Sequence, residues 1–379
     1  MNIARNDTSI LGRWWWEVDR WTLFCFIVLA GFGLVLTASA SPSVAERIGA
    51  DSMFFIRKQA VMVVPAVMLM LTISLLDLKN IKRLAGILLL FSIVMMFATL
   101  AFGSEIKGAT RWIRVAGINL QPSEFLKPAF AVVAATMFSA QRMGEKVPGF
   151  WMASGLYLFM VALLMAQPDF GQTVIVSAIW GVQFFLAGLP LVIVLSLLIM
   201  MVVGIASAYF FFPHVQSRID RFLDPASGDT YQVDRAMEAF SNGGVLGMGP
   251  GNGTAKNVLP DGHADFILAV AGEEYGLIAC LVILFMYGFV VLRGFSLIFS
   301  RNNMFVILAV TGLLLQFGLQ AMINMSSTLT LIPTKGMTLP FVSYGGSSLI
   351  AMAIGMGMVL ALTRNRPGNY QSSNGSFIK

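Results

Sequence analysis

About ten stretches of this 379-residue chain are apolar for long enough to cross a lipid bilayer, whose ~30 Å hydrocarbon core takes roughly 20 residues of helix. They run approximately over Trp21–Ala40, Gln59–Leu76, Leu84–Gly103, Ser123–Ala140, Gly149–Ala166, Gly171–Gly188, Leu189–Phe212, Phe266–Leu292, Met304–Met325 and Gly345–Thr363. Backbone polar groups in lipid find no water, so a spanning segment is a helix or part of a closed barrel. These runs do not alternate with period two, which excludes a barrel. The expected fold is therefore all-α, a polytopic membrane protein of about ten helices. Charged residues make up only 12% of the chain, where a soluble domain carries about 25%. The net charge of +6 is scattered through short connectors, a pattern of topology signals rather than of a nucleic-acid surface.

The chain reads as one membrane domain. Helices 1–7 occupy residues 20–212, a long loop follows over 213–265, helices 8–10 fill 266–363, and 364–379 is a short polar tail. One set of connectors holds thirteen Lys and Arg, at Arg5, Arg13, Arg20, Lys79, Lys82, Arg83, Arg142, Lys146, Arg293, Arg301, Arg364, Arg366 and Lys379, against eleven in the other set, of which four lie in the long loop, where charge weighs less on orientation. The positive-inside rule then places both termini in the cytoplasm and the long loop outside. Arg5, Arg13 and Arg20 precede an apolar run without a small-residue cleavage site, so the N-terminal segment reads as a first span and not as a removed signal. Trp14, Trp15 and Trp16 read as an interfacial belt. Cys25 and Cys280 lie inside apolar runs, and His214 and His263 are the chain's histidines. No disulfide framework and no Cys/His metal spacing follows from them.

Four polar patches stand out against this background. The first is the segment Pro213–Gly276, with Arg218, a glycine-rich run from Asn242 to Gly253, the sequence Leu259-Pro-Asp-Gly-His-Ala-Asp-Phe266, and Glu273-Glu274. Asp265 stands where loop meets helix; it reads either as a helix cap or as a carboxylate in a half-dehydrated cleft that acts as a general base. The glycines would let backbone N–H groups approach a phosphate, but without P-loop order. Glu273 and Glu274 sit about two turns into span eight, where an acid needs a partner, so they read as ion-pair residues. In the second patch Arg111 is followed by Gln121-Pro-Ser-Glu-Phe-Leu-Lys127. Glu124 suits the first turn of a helix, and Lys127 either snorkels or faces a wet cavity ready to hold an anion. The third, Gln167-Pro-Asp-Phe-Gly171, is a tight turn in which Asp169 can cap the next helix. The fourth, Leu331–Ser348, carries two prolines, three glycines, Lys335 and Ser343; it cannot be a regular helix and is too apolar for a free loop, so it reads as a re-entrant, cavity-lining segment.

In this order the patches resemble the SEDS family (shape, elongation, division and sporulation). The resemblance runs from Arg111-Trp-Ile to the long motif Pro333-Thr-Lys-Gly-Met-Thr-Leu-Pro-Phe-Val-Ser-Tyr-Gly-Gly-Ser-Ser348. Thr334-Lys-Gly336 is more similar to the cell-division branch than to the elongation branch. The resemblance implies a peptidoglycan glycosyltransferase that polymerises lipid II at the outer face of the bacterial inner membrane, at the division septum, with a class B penicillin-binding protein and division regulators as partners. It places the family's key acid on Asp265. Substrate contacts would then come from Arg111, Glu124, Lys127, Arg218, His263, Lys335 and Ser343, with Glu273, Glu274 and Asp169 structural. The leaving group is a lipid pyrophosphate and needs cations. A divalent ion, Mg or Mn, is the one cofactor that this chemistry admits, although no metal ligand set is visible. Ala264 departs from the family, which usually has Thr there, and so does the composition of the glycine run. Two other readings stay open from sequence: a lipid II flippase, and a scaffold that only recruits the transpeptidase.

Overall fold

The computed structural model describes residues 9–106, 109–115, 118–188, 231–299, 301–333 and 336–365, with isolated positions between 190 and 220. A short helix α1 (Ile10–Glu17) leads into the long helices α2 (Arg20–Arg47), α3 (Phe54–Ser74) and α4 (Leu78–Phe102). Three strands follow, β1 (Ser104–Ile106), β2 (Ala109–Val115) and β3 (Ile118–Leu120), then α5 (Pro122–Arg142), α6 (Gly149–Ala166) and α7 (Phe170–Leu186). The later elements are α8 (Tyr231–Gly243), a 3-10 turn (Ala255–Asn257), α9 (Ile267–Ile298), α10 (Met304–Thr328) and α11 (Gly346–Thr363).

Among the described residues, seven helices are long and apolar enough to cross a membrane: α2, α3, α4, α6, α9, α10 and α11. The apolar α7 is shorter, and α5 carries Glu124 and Lys127 in its first turns. The expected helical membrane bundle is thus what the chain forms. The seventh expected span, Leu189–Phe212, lies largely outside the described residues.

Successive helices run in opposite directions between two faces. One face gathers both described chain ends: Asn365 N–H bonds Glu17 O (3.0 Å), Arg364 pairs with Glu17 (2.7 Å), and Arg293 pairs with Asp19 (2.8 Å). Asp19, Asp77 and Asn303 cap α2, α4 and α10 there, each accepting a backbone N–H of the first turn. α10 and α11 are the most enclosed spans. Small residues let helices approach: a Cβ on Gly357 would meet Met70 O of α3 at 2.8 Å.

At the opposite face the all-α expectation needs two additions. The α4–α5 connector folds into an antiparallel sheet in the order β1-β2-β3, with Ser104 opposite Trp112 and Ile113 opposite Leu120. Outside lipid its β-branched and aromatic residues are free to pair as strands. The polar segment expected as a loop over 213–265 is, where described, partly helical. α8 packs so tightly on α9 that a Cβ on Gly243 would meet Gly272 O at 1.9 Å.

The glycine run has a structural task. α9 breaks at Gly276, whose φ of 75° and ψ of −173° leave the helical region. An unbroken helix would bond the N–H of 277 and 278 to the carbonyls of 273 and 274. Here Leu277 N–H bonds Gly244 O (3.0 Å) and Ile278 N–H bonds Val245 O (3.4 Å), while Met248 and Gly249 N–H bond Glu273 O (2.9 Å) and Glu274 O (3.0 Å). The run is spliced into the helix, so these N–H groups are not available to a phosphate.

Gly276→Ala is expected to cost on the order of 3 kcal/mol, from strained backbone and a Cβ 2.3 Å from Val245 O. Gly288→Ala, in the same helix with open space around it, is expected to be neutral or slightly stabilising. Melting of the purified protein in detergent checks the pair, and equal melting temperatures would refute the splice.

Candidate active site

Asp265 lies half-buried in the turn between the 3-10 element and α9, on the face away from the chain ends. α9 does not hold its carbonyl in the helical ladder, because Ala269 N–H bonds Phe266 O instead (2.9 Å). Asn324 Nδ2 of α10 donates to Asp265 O (2.9 Å), and Thr328 Oγ1 adds a longer bond (3.4 Å). The carboxylate faces the backbone of the fourth patch: a Cβ on Gly336 would sit 3.3 Å from Asp265 Oδ2. The neighbours of Asp265 are pinned to the same segment. Ser343 Oγ donates to Ala264 O (2.6 Å) and accepts Leu339 N–H (2.8 Å), and Tyr344 N–H bonds His263 O (2.9 Å).

His263 is buried against Phe55, with ring centroids 4.2 Å apart, and against Tyr344 at 5.2 Å. Its Nδ1 is buried without a hydrogen-bond partner. Burial pushes the imidazole down to about 4, against a small upward pull from Asp261. At neutral pH it is an uncharged ring.

Both acids of α9 are held by the protein, although Glu274 Oε2 is buried without a hydrogen-bond partner. Glu273 accepts the backbone N–H groups of Thr254 and Ala255 (both 2.7 Å) and Lys256 (2.9 Å). An anion-binding nest is thus filled by the protein's own carboxylate. Glu274 pairs with Lys256 and accepts from Ser39 of α2 and from Gly251 N–H. The two acids point to different partners, as adjacent helical positions must.

A second buried network links α5, α7, α10 and α11. Lys127, fully buried, bonds Glu124 Oε2 (2.9 Å) and Gln320 Oε1 (2.6 Å). Gln172 Nε2 donates to the other oxygen of Glu124 (2.6 Å). Gln320 Nε2 reaches Thr338 O (3.1 Å) and Ser348 Oγ (3.2 Å). Further out, Arg111 of β2 bonds Gln167 O (3.2 Å) and Pro168 O, and lies 3.7 Å from Asp169. Burial raises the Asp169 carboxyl, and the charge of Arg111 opposes that rise. Arg218 and Lys335 lie outside the described residues.

The sequence reading missed Gln316, Gln320, Asn324 and Thr328. All four are buried on α10. Their spacing of four puts polar side chains along one stripe of an otherwise apolar span, which is the signal that would have found them. At about 1.5 Å per residue, Asn324 lies roughly 30 Å along α10 from Met304, and Ser39 roughly 28 Å along α2 from Arg20. The site therefore sits at the far edge of a ~30 Å hydrocarbon core. An apolar depression of about 370 Å³ on the outer side of α9, lined by Phe285, Phe289, Leu292 and Arg293, touches none of these residues. Chemically, a half-buried carboxylate is held beside Gly336 on a fixed backbone, His263 two residues before it is a neutral ring packed on Phe55 and Tyr344, and the buried Lys127 reaches α10 at Gln320, one turn from Asn324.

Comparison with known proteins gives the family to which this fold belongs. The sequence profile of the FtsW/RodA/SpoVE family, described as cell cycle proteins, matches residues 20–367. The chain is 45% identical over 371 residues to the probable peptidoglycan glycosyltransferase FtsW of Caulobacter vibrioides, covering 98% of this chain and 95% of that one. It is 32% identical to the protein of the same name from Trichlorobacter lovleyi, covering 92% and 93%. Among solved structures it superposes on a chain of a peptidoglycan synthase complex that coordinates polymerization and crosslinking, with a TM-score of 0.75 and 26% identity over 91% of this chain and 97% of that chain. The rod shape determining protein RodA of Thermus thermophilus gives a TM-score of 0.66 at 25% identity over 92% and 97%. A match of this extent places the chain in the FtsW/RodA/SpoVE family of multi-pass membrane proteins.

Proposed function

We propose that this protein is a peptidoglycan glycosyltransferase of the FtsW type that polymerises lipid II, with Asp265 as general base. The observation that carries the reading is Asp265 itself: half-buried, opposite the face that holds both chain ends, and set by α10 against Gly336. With the termini in the cytoplasm, the face that carries Asp265 is the outer one, where the substrate's sugars are. The relatives' names supply the reaction class. The family resemblance adds the inner membrane, the division septum, a class B penicillin-binding protein and division regulators.

In the reaction the acceptor's GlcNAc 4-hydroxyl attacks the donor's anomeric carbon. The new O4–C1 bond forms as the bond from C1 to the pyrophosphate oxygen breaks, and its electron pair leaves with the undecaprenyl pyrophosphate. Asp265 takes the hydroxyl proton. The leaving group carries its own charge and calls for cations rather than a protein acid. Arg111, partly exposed at the outer edge, is the described candidate, and Arg218 and Lys335 join it by resemblance. Lys127 acts from behind: fully buried between Glu124 and Gln320, it orders the site instead of touching the pyrophosphate. His263 contributes as a neutral ring. Among the described residues no three His, Cys, Asp or Glu side chains converge. Glu124, Glu273 and Glu274 are engaged by cations or N–H groups of the protein. This donor set does not fit a divalent ion, and no step is routed through one.

Purified protein in detergent, given lipid II with and without its cognate transpeptidase, is expected to form glycan chains. Asp265→Ala is expected to lower the rate by roughly 10²- to 10⁴-fold. Chain formation at the parental rate in that variant would refute the assignment, and lipid translocation without chains would point to transport instead.

Lys127→Met leaves Glu124 buried without its cation and is expected to cost about 3–5 kcal/mol, whereas Lys127→Met with Glu124→Gln is expected to cost less. Thermal melting of the two variants distinguishes an ion pair from two independent groups.

For His263 the folded-state value of about 4 lies below the ordinary imidazole value of 6.5. The unfolded chain therefore binds the proton more readily between those values, and stability is lost as pH falls from about 6.5 toward 4. The contribution is on the order of 3 kcal/mol. Melting of wild type and His263→Gln from pH 7 to 4 is expected to show a shallower decline in the variant.

A further inference from the structure

Resting on the proposal that Asp265 is the base, we propose that Asn324 is a positioning residue that holds this acid in register with the Gly336–Met337 backbone. Asn324 is fully buried on α10. Its Nδ2 donates one proton to Asp265 O (2.9 Å) and the other to Met337 O (2.6 Å). Both partners are carbonyls, so the orientation of the amide is forced: turned over, its oxygen would face two acceptors.

One carboxamide thus joins two irregular stretches that neither helical nor sheet hydrogen bonds fix. The turn that carries Asp265 stands outside the α9 ladder, since Ala269 N–H goes to Phe266 O. Residues 336–339 have no regular secondary structure. Yet the Asp265 carboxylate sits across from Gly336, close enough that a Cβ there would lie 3.3 Å from Oδ2. Asn324 holds both walls of that contact, one residue away on the glycine side.

The same face of α10 carries Gln320 one turn earlier. Its oxygen accepts from Lys127 Nζ (2.6 Å), and its Nε2 donates to Thr338 O (3.1 Å). Gln320 and Asn324 are about 6 Å apart along the helix axis. A single rigid span therefore sets the distance between the acid and the buried cation through two amide side chains. A general base must lie within hydrogen-bond reach of its proton, and a misplacement of about 1 Å costs roughly 10²-fold in rate. Both hydrogen bonds that Asn324 donates end on main-chain carbonyls, so it acts through the placement of Asp265.

The test uses the full-length protein and lipid II polymerisation, with a structural readout beside it. Asn324→Ala is expected to lower kcat by roughly 10- to 100-fold with KM within about twofold. Combined with Asp265→Ala it is expected to lower residual activity no further than Asp265→Ala alone. The structural readout is disulfide formation between D265C and G336C, in a background with Cys25 and Cys280 replaced by Ala. This crosslink is expected to form readily when Asn324 is present and to slow by about tenfold or more in Asn324→Ala, in line with a loosened contact. Asn324→Ser, which keeps one donor, is expected to fall between the two and carries the same readouts if the alanine variant does not fold. Activity of Asn324→Ala within about threefold of the parent while Asp265→Ala is inactive would overturn the proposal, as would a crosslink unaffected by Asn324→Ala. Should Asp265→Ala prove fully active, the assignment of the base fails instead, and the crosslink alone decides whether Asn324 clamps these two segments.

Discussion

A backbone N–H or carbonyl in hydrocarbon must find its partner within the protein, and the region around Gly276 shows how far the fold goes to meet that demand. Breaking α9 removes two helical hydrogen bonds, and the residues Gly244–Gly249 supply four in their place. The splice fixes the polar segment to α9 and brings Lys256 onto Glu274. It also places the turn that carries Asp265 beside the end of α10. The glycines are required by geometry: a Cβ on Gly247 would meet Glu274 O at 2.2 Å.

The same demand governs the buried charges. Lys127, Glu124, Glu273, Glu274 and Lys256 are all nearly inaccessible, and each has a partner of opposite charge or a set of N–H donors. Charges satisfied in this way order the segments that they join. Lys127 ties α5 to α10, and Lys256 ties the polar segment to α2 through Ser39. The site is consequently a junction of irregular backbone, held by side chains that project from rigid spans. Ser343, Gln320 and Asn324 all use their polar atoms on main-chain carbonyls of that junction.

Much of this was legible in the chain. The runs at Gly149–Ala166 and Met304–Met325 were placed almost to the residue, because hydropathy over some twenty positions is a strong local signal. The non-helical character of the segment before Gly346 followed from its prolines and glycines. The sheet at Ser104–Leu120 was not seen, since two of its three strands have three residues and leave too short a pattern to read. Nor was the splice: a glycine run suits a phosphate cradle equally well, and only the fold commits its N–H groups to the Glu273 and Glu274 carbonyls and the Glu274 carboxylate. The stripe on α10 was visible in principle, but Gln and Asn carry no charge and did not stand out within an apolar span.

By itself the sequence determined that this chain is a bundle of membrane helices and which residues are too polar for lipid, because both are properties of composition over one or two dozen neighbours. It also marked Asp265, by its place at a boundary between polar and apolar sequence and by resemblance. Which groups meet was decided by tertiary structure alone. Asn324 reaches Asp265 across 59 positions and Lys127 reaches Gln320 across 193. No local pattern encodes such a pairing, since it depends on how helices pack and where their ends fall. Only the packed bundle brings the acid, the amide and the buried cation to the same edge of the membrane.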